Sequence, residues 1–238
     1  MIKLIKRNQK AGEESPAKRD HEIQRIETFS DAVFAFAVTL LIVSLEVPHS
    51  FNELLVKMQG FFVFGICFLV LISIWNNQHI FFRRYGMDDF WTVALNAILL
   101  FIVLFYVYPL KFLFTLFLGE FGKSHMEIEA HQVPQLMMIY AGGFMVIYLL
   151  FFFMYFRALR NAKGLHVTAY QKFECQSSVY KELIMISIGL LSFIAALLLQ
   201  DDQAGAAGYV YILIGPGINF LYYIRNKKRK KLFPGQTS

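Results

Sequence analysis

The chain has 238 residues, 57% of them hydrophobic, with 26 phenylalanines and a mean hydropathy of +0.48. That is more apolar surface than a soluble domain of this length can hide. The formal charge of +6 arises from basic clusters beside apolar runs, which points to membrane anchoring and away from a nucleic-acid partner.

Taken in chain order, residues 1–28 are mostly polar and lack the short apolar core of a cleaved signal peptide. Runs near 20 apolar residues, the length a spanning helix requires, fall at about 29–47, 58–78, 91–118, 134–156, 182–199 and 206–224. In the third, Pro109 and Lys111 predict that the regular helix stops near Tyr108, with 110–118 as a separate interfacial helix. The fifth and sixth form a hairpin around Gln200–Gly205, a loop holding Asp201 and Asp202. Gly215-Pro216-Gly217 should bend or loosen the sixth. Cys67 sits in an apolar run and Cys175 in a stretch expected to be a polar loop, so neither a disulfide framework nor a metal site is suggested.

All but three of the 23 Lys and Arg residues lie on one side of this layout; Lys57, Lys111 and Lys123 are the exceptions. The positive-inside rule then puts both termini in the cytoplasm and supports an even number of spans. The basic run Arg225–Lys231 reads as an anchor after the last span, with anionic lipid as a secondary contact. The expected organisation is an N-terminal tail (1–28), one six-helix membrane domain (29–224) and a basic C-terminal tail (225–238).

Chemistry-bearing motifs are few. HExxH, GxSxG and P-loop patterns are missing from the sequence, and no cofactor is expected. His21, His49, His125, His131 and His166 fall in tails and loops, and Glu120, Glu127 and Glu129 make one loop acidic. The informative stretch is Arg25–Val47, which puts Ser30 and Asp31 at the mouth of an apolar run. A carboxylate there is costly and usually has a partner. On a helical wheel Phe29, Val33, Phe36, Leu40, Val43 and Val47 form one stripe, with Asp31 nearly opposite and Thr39 on the flank. Either the acidic side lines a conduit, or the stripe forms a hydrophobic constriction while Asp31 pairs with neighbouring helices. Ordinary packing explains such a stripe as well. The second run ends WNNQHIFFRR. His79 and Arg25 are expected donors to Asp31, Asn96 either completes a buried hydrogen-bond cluster or faces water, and Trp75, Arg83 and Arg84 read as an interfacial belt.

Arg25, Phe29, Ser30 and Asp31 spell RxxxFSD at the start of the first span, followed by AVFAFAVTLL. This resembles the prokaryotic branch of the endolysosomal potassium channel family, the transmembrane protein 175 family. The residue-level likeness is concentrated in residues 25–47, and the six-span layout covers nearly the whole chain. The resemblance implies an all-α integral membrane protein with six transmembrane helices per chain. Animal members carry two such repeats and dimerise, so one repeat per chain implies a homotetramer with helix 1 lining the central pore. It also implies that Arg25, Phe29, Ser30 and Asp31 belong to a structural network, with His79 and Asn96 as partners. The constriction then falls on Phe36, Leu40 and Val43, and Thr39 corresponds to a threonine linked to potassium preference. Relatives commonly have Ile or Leu where this chain has Phe36, which bears on the width of the open conduit.

The expected activity is passive permeation of potassium, weakly selective over sodium, through a plasma-membrane pore in contact with the lipid bilayer. A proton- or cation-coupled secondary transporter using Asp31 and His79 is the alternative, although no internal repeat is visible. An integral-membrane enzyme is a more distant one, because no nucleophile accompanies those residues.

Overall fold

A computed structural model describes residues 16–43, 50–119, 129–161, 168–200 and 203–233. These residues build six long helices and no strand. They are α1 (Pro16–Val43), α2 (Phe51–Tyr85), α3 (Phe90–Gly119), α4 (Val133–Arg160), α5 (Ala169–Leu198) and α6 (Ile214–Leu232). A 3₁₀ turn, Ala130–Gln132, leads into α4, and a 3₁₀ segment, Ala204–Leu213, leads into α6. Val47, His49, Glu120, Lys123, His125, Glu127, His166, Asp201 and Asp202 lie outside the described residues, as do the ends of both tails.

Five helical stretches are long and apolar enough to cross a membrane: Phe61–Tyr85, Phe90–Leu116, Val133–Arg160, Ala169–Leu198 and Ala204–Leu232. The described part of α1 is not among them, since its first half is polar and the apolar run continues past Val43. The helices alternate in direction, so the start of α1 and α5 and the end of α2, α4 and α6 gather at one end. Arg25, Arg83, Arg84, Arg157, Lys172 and the α6 run from Arg225 all stand there. We call it the basic end.

Packing divides the chain into two triplets. α1, α2 and α3 pack on one another; α4, α5 and the 3₁₀–α6 segment do likewise, joined through α3 and α2 against α4. α1 touches no described helix beyond α2 and α3. Close approach within the bundle needs small residues. A Cβ on Gly143 would lie 2.4 Å from the Tyr106 ring, and one on Gly189 would lie 2.6 Å from Met145 Cγ.

Four expectations change. α3 runs unbroken through Pro109, because neighbouring helices can satisfy the freed backbone of a membrane helix. Two tyrosines tie this stretch to α4, Tyr140 Oη donating to Pro109's own carbonyl and Tyr106 Oη to the Tyr140 carbonyl at 3.1 Å. Cys175 is buried in α5, its Sγ 3.4 Å from the Tyr155 carbonyl, because that helix begins at Ala169 and not near residue 182. Helices outlast their apolar windows because caps and ion pairs support the wet turns. Thr168 and Gln171 form a capping box on α5, Arg84 pairs with Glu174 at 3.6 Å, and Asp89 caps Thr92 while pairing with Arg157. Finally, the α-geometry of the sixth span starts only at Ile214, which puts Pro216 in a first turn, where its missing N–H costs least. Gly86, at φ +49°, closes α2 in the left-handed conformation that glycine adopts without penalty.

Candidate functional site

The RxxxFSD residues sit where α1 enters the bundle from the basic end. Their side chains diverge, because successive helical positions are 100° apart. Ser30, Phe34, Ala37 and Leu41, at i, i+4, i+7 and i+11, face α2 and α3 and are buried. Ser30 is wholly buried, at 0% exposure, and its hydroxyl accepts Asn96 Nδ2 at 3.0 Å. Gln78 Nε2 in turn donates to Asn96 Oδ1 at 3.2 Å. The Ser30 hydroxyl proton goes to the Ile26 carbonyl, 2.8 Å away. A relay of three buried polar side chains, one from each of α1, α2 and α3, therefore fixes the inner triplet. Buried polar groups satisfied in this way specify one arrangement, since separating them leaves unpaired donors.

Asp31 points elsewhere. It is exposed in the single chain and accepts Trp75 Nε1 at 2.7 Å. His79 stands one turn further along α2, stacks on the Trp75 ring at 5.4 Å, and lies 3.7 Å from Glu27. The expected His79–Asp31 contact is therefore replaced by an indole contact. The longer Trp side chain reaches the carboxylate, while the imidazole lies level with the preceding α1 turn. Arg25 is exposed, lining a cavity with Glu22, Phe29, Asp88 and Asn96. It makes no ion pair with Asp31.

The outer face of α1 is bare in the single chain. Ala32, Ala35, Phe36, Thr39 and Ile42 are exposed, with Phe36 at 54%, and they fall within an arc of roughly 120°. Phe29 is exposed as well, whereas Val33 and Leu40 are half-buried and pack against the core. The bare face is thus turned about a fifth of a revolution from the stripe drawn on the wheel, and Thr39 lies at its middle. Val43 closes the described part of α1, and its side chain is outside the described residues. Thr39 Oγ1 donates its proton to the Ala35 carbonyl at 2.9 Å, leaving its two lone pairs pointing outward.

Two features carried no clear sequence signal. Lys111, inside the α3 span, donates to the Leu41 carbonyl at 3.3 Å, in the last described turn of α1. A second buried cluster joins α2 to α5 and α4: Asn77 Nδ2 donates to Glu182 Oε1 at 3.2 Å, and Lys181 Nζ bridges Glu182 (3.0 Å) and Asn77 (2.8 Å). Tyr155 Oη stands 3.3 Å from Asn77 Oδ1. Glu182, fully buried, lay among residues read as a loop or helix start. The consecutive polar run Trp75-Asn76-Asn77-Gln78-His79 was its only hint, and three of its members serve three different neighbours.

The comparisons with known proteins agree with this layout. The profile of the family described as "Endosomal/lysosomal potassium channel TMEM175" matches residues 25–106, from the first motif arginine to the middle of α3. A protein of Marivirga tractuosa named "Potassium channel" is 39% identical over 231 residues, covering 90% of this chain and 92% of the relative. A potassium channel of Chamaesiphon minutus is 32% identical over 143 residues, 57% of this chain and 65% of its own length. Among solved structures, a threonine-to-alanine variant of the potassium channel MtTMEM175, in complex with a nanobody–MBP fusion protein, superposes with a TM-score of 0.74. It is 35% identical, covering 92% of this chain and 96% of that one. A homologue, from Chamaesiphon minutus, of the lysosomal potassium-selective channel TMEM175 shares the fold with a TM-score of 0.59 at 21% identity, covering 87% of this chain and 99% of that one. With a 39%-identical relative matched almost end to end, the chain belongs to the endosomal/lysosomal potassium channel TMEM175 family.

Proposed function

We propose that this protein is a potassium channel in which four copies surround a common axis, each turning the bare face of α1 inward. The observation that carries this reading is the character of that face. Elsewhere the exposed helix surfaces present bulky groups suited to lipid, such as Phe61, Phe62 and Leu69 on α2 and Phe101 and Phe105 on α3. The bare face of α1 instead combines Ala32, Ala35 and a back-bonded Thr39 with two larger groups, Phe36 and Ile42, and Phe29 at its edge. Small residues and outward lone pairs suit a narrow space shared with other copies better than acyl chains.

In this arrangement potassium passes down its gradient, keeping much of its hydration shell. Phe36 narrows the route, with Val43 toward the far end; Leu40, expected in the constriction, packs instead against the core of its own bundle. The four Thr39 hydroxyls supply oxygens one turn beyond Phe36. Arg25, Phe29, Ser30, Asp31, Trp75 and Asn96 hold α1 against its own bundle or the adjoining subunit. Selectivity over sodium is weak, because side-chain oxygens in an apolar neck discriminate less sharply than a rigid ring of carbonyls. Both termini and the basic end face the cytoplasm, and the protein resides in the plasma membrane. No cofactor takes part.

Recording from purified protein in planar bilayers tests this reading. Current should reverse near the potassium equilibrium potential, with no shift when a proton gradient is imposed. Phe36→Ala should raise unitary conductance several-fold. A proton-dependent reversal, or an unchanged conductance in the variant, would remove the neck from α1.

A further inference from the structure

We propose that Lys111 is a positioning residue for permeation: its ammonium clamps the far end of the pore helix to α3 through the Leu41 carbonyl. The inference rests on the channel reading and adds to it a second fixed point. Lys111 is a cation within an apolar span, and such residues pair with a carboxylate or a carbonyl and commonly mark function. Among the described residues it donates to a main-chain oxygen of α1, 3.3 Å away. Leu41 lies on the buried face, and its neighbours Leu40 and Ile42 flank the bare one. A contact made to backbone fixes the height and rotation of the whole turn, whatever side chains it carries.

The same helix holds α1 at the basic end, through Asn96 and Ser30. α3 thus brackets α1 twice, and the segment between the two attachments, Ser30 to Leu41, carries Ala32, Ala35, Phe36 and Thr39. Beyond Ser30 and Asp31 the segment otherwise rests on the apolar packing of Phe34, Ala37 and Leu41, which is non-directional. The second attachment makes the radius at Phe36 and Thr39 a property of α3 as well as of α1.

The test compares the full-length wild type with Lys111→Met and Lys111→Gln; the Gln amide stops one atom short of the ammonium position. In planar bilayers Lys111→Met should shift the potassium-to-sodium permeability ratio at least about threefold toward unity. Lys111→Gln should shift it in the same direction. The shift must persist in about 1 M salt, where the screening length falls to roughly 3 Å. A shift abolished by salt would make Lys111 a distant charge acting on ion access, and would overturn the clamp. Wild-type permeability in either variant overturns it too, and Lys111→Gln decides the matter should Lys111→Met not assemble. Hydrogen exchange separates this idea from the channel reading. The peptide spanning 36–43 should exchange faster in Lys111→Met than in wild type, even in protein that passes no current, and equal rates refute the clamp.

Discussion

The two triplets of helices are built on different principles. In α4–α6 apolar and aromatic packing dominates, with Gly189 under Met145 and Phe144 and Phe144 edge-on to Tyr211 at 5.0 Å, around a few polar ties such as Arg225 Nε to Ser177 Oγ at 2.8 Å. In α1–α3 the decisive contacts are polar and sparse: Ser30–Asn96–Gln78 in the interior, Trp75–Asp31 at the side, and Lys111–Leu41 at the far end. The first kind of packing is non-directional and tolerates small shifts. The second fixes a helix at named atoms while leaving one face uncovered. A helix meant to line a shared conduit needs the second kind, since it cannot be surrounded by its own chain.

The largest effect should come from the joint between the triplets. Glu182→Leu removes one partner of a buried ion pair, leaving the Asn77 amide N–H unmatched and Lys181 with its Asn77 contact but no counter-charge, at a cost of about 3 kcal/mol. It should lower the thermal unfolding temperature in detergent while leaving the unitary conductance of surviving channels near wild type. If conductance collapsed with stability unchanged, the division into a scaffold half and a pore half would fail. Next comes Asn96→Leu, which orphans the Ser30 hydroxyl and the Gln78 amide for about 1–3 kcal/mol. This change should also disturb permeation, because it frees α1 at the basic end. Unchanged permeation with reduced stability would make that relay ordinary packing. The smallest effect belongs to His79→Gln. Its ion pair with Glu27 is long and partly solvated, so the stability change should stay within about 1 kcal/mol. A loss as large as that of Asn96→Leu would show that the histidine, and not Trp75, holds this side of α1.

Much of this was readable from residue order. The six helices and the RxxxFSD motif follow from run length and a short signature, whereas the bond from Asn96 to Ser30 decides between the buried and the water-facing readings of that asparagine. Other features were hidden for definite reasons. Apolar windows find the part of a helix in hydrocarbon, not the capped turns beyond it, so α5 was placed 13 residues late, at 182 instead of Ala169. Choosing Trp75 over His79 as the Asp31 donor depends on side-chain reach across two helices, which spacing along one cannot supply. The wheel for α1 arranged its residues correctly around the axis but could not fix which direction faced the bundle. The burial of Phe34, Ala37 and Leu41 supplies that direction.

Pro109 gives α3 a mechanical character of its own. A proline has no N–H to offer the carbonyl four residues earlier, so one rung of the ladder is missing near Phe105. That rung lies between Asn96 and Lys111, the two places where α3 grips α1. One rung is thus absent in the stretch of α3 between its two holds on α1, and the Tyr140 hydroxyl on the Pro109 carbonyl braces that stretch from α4.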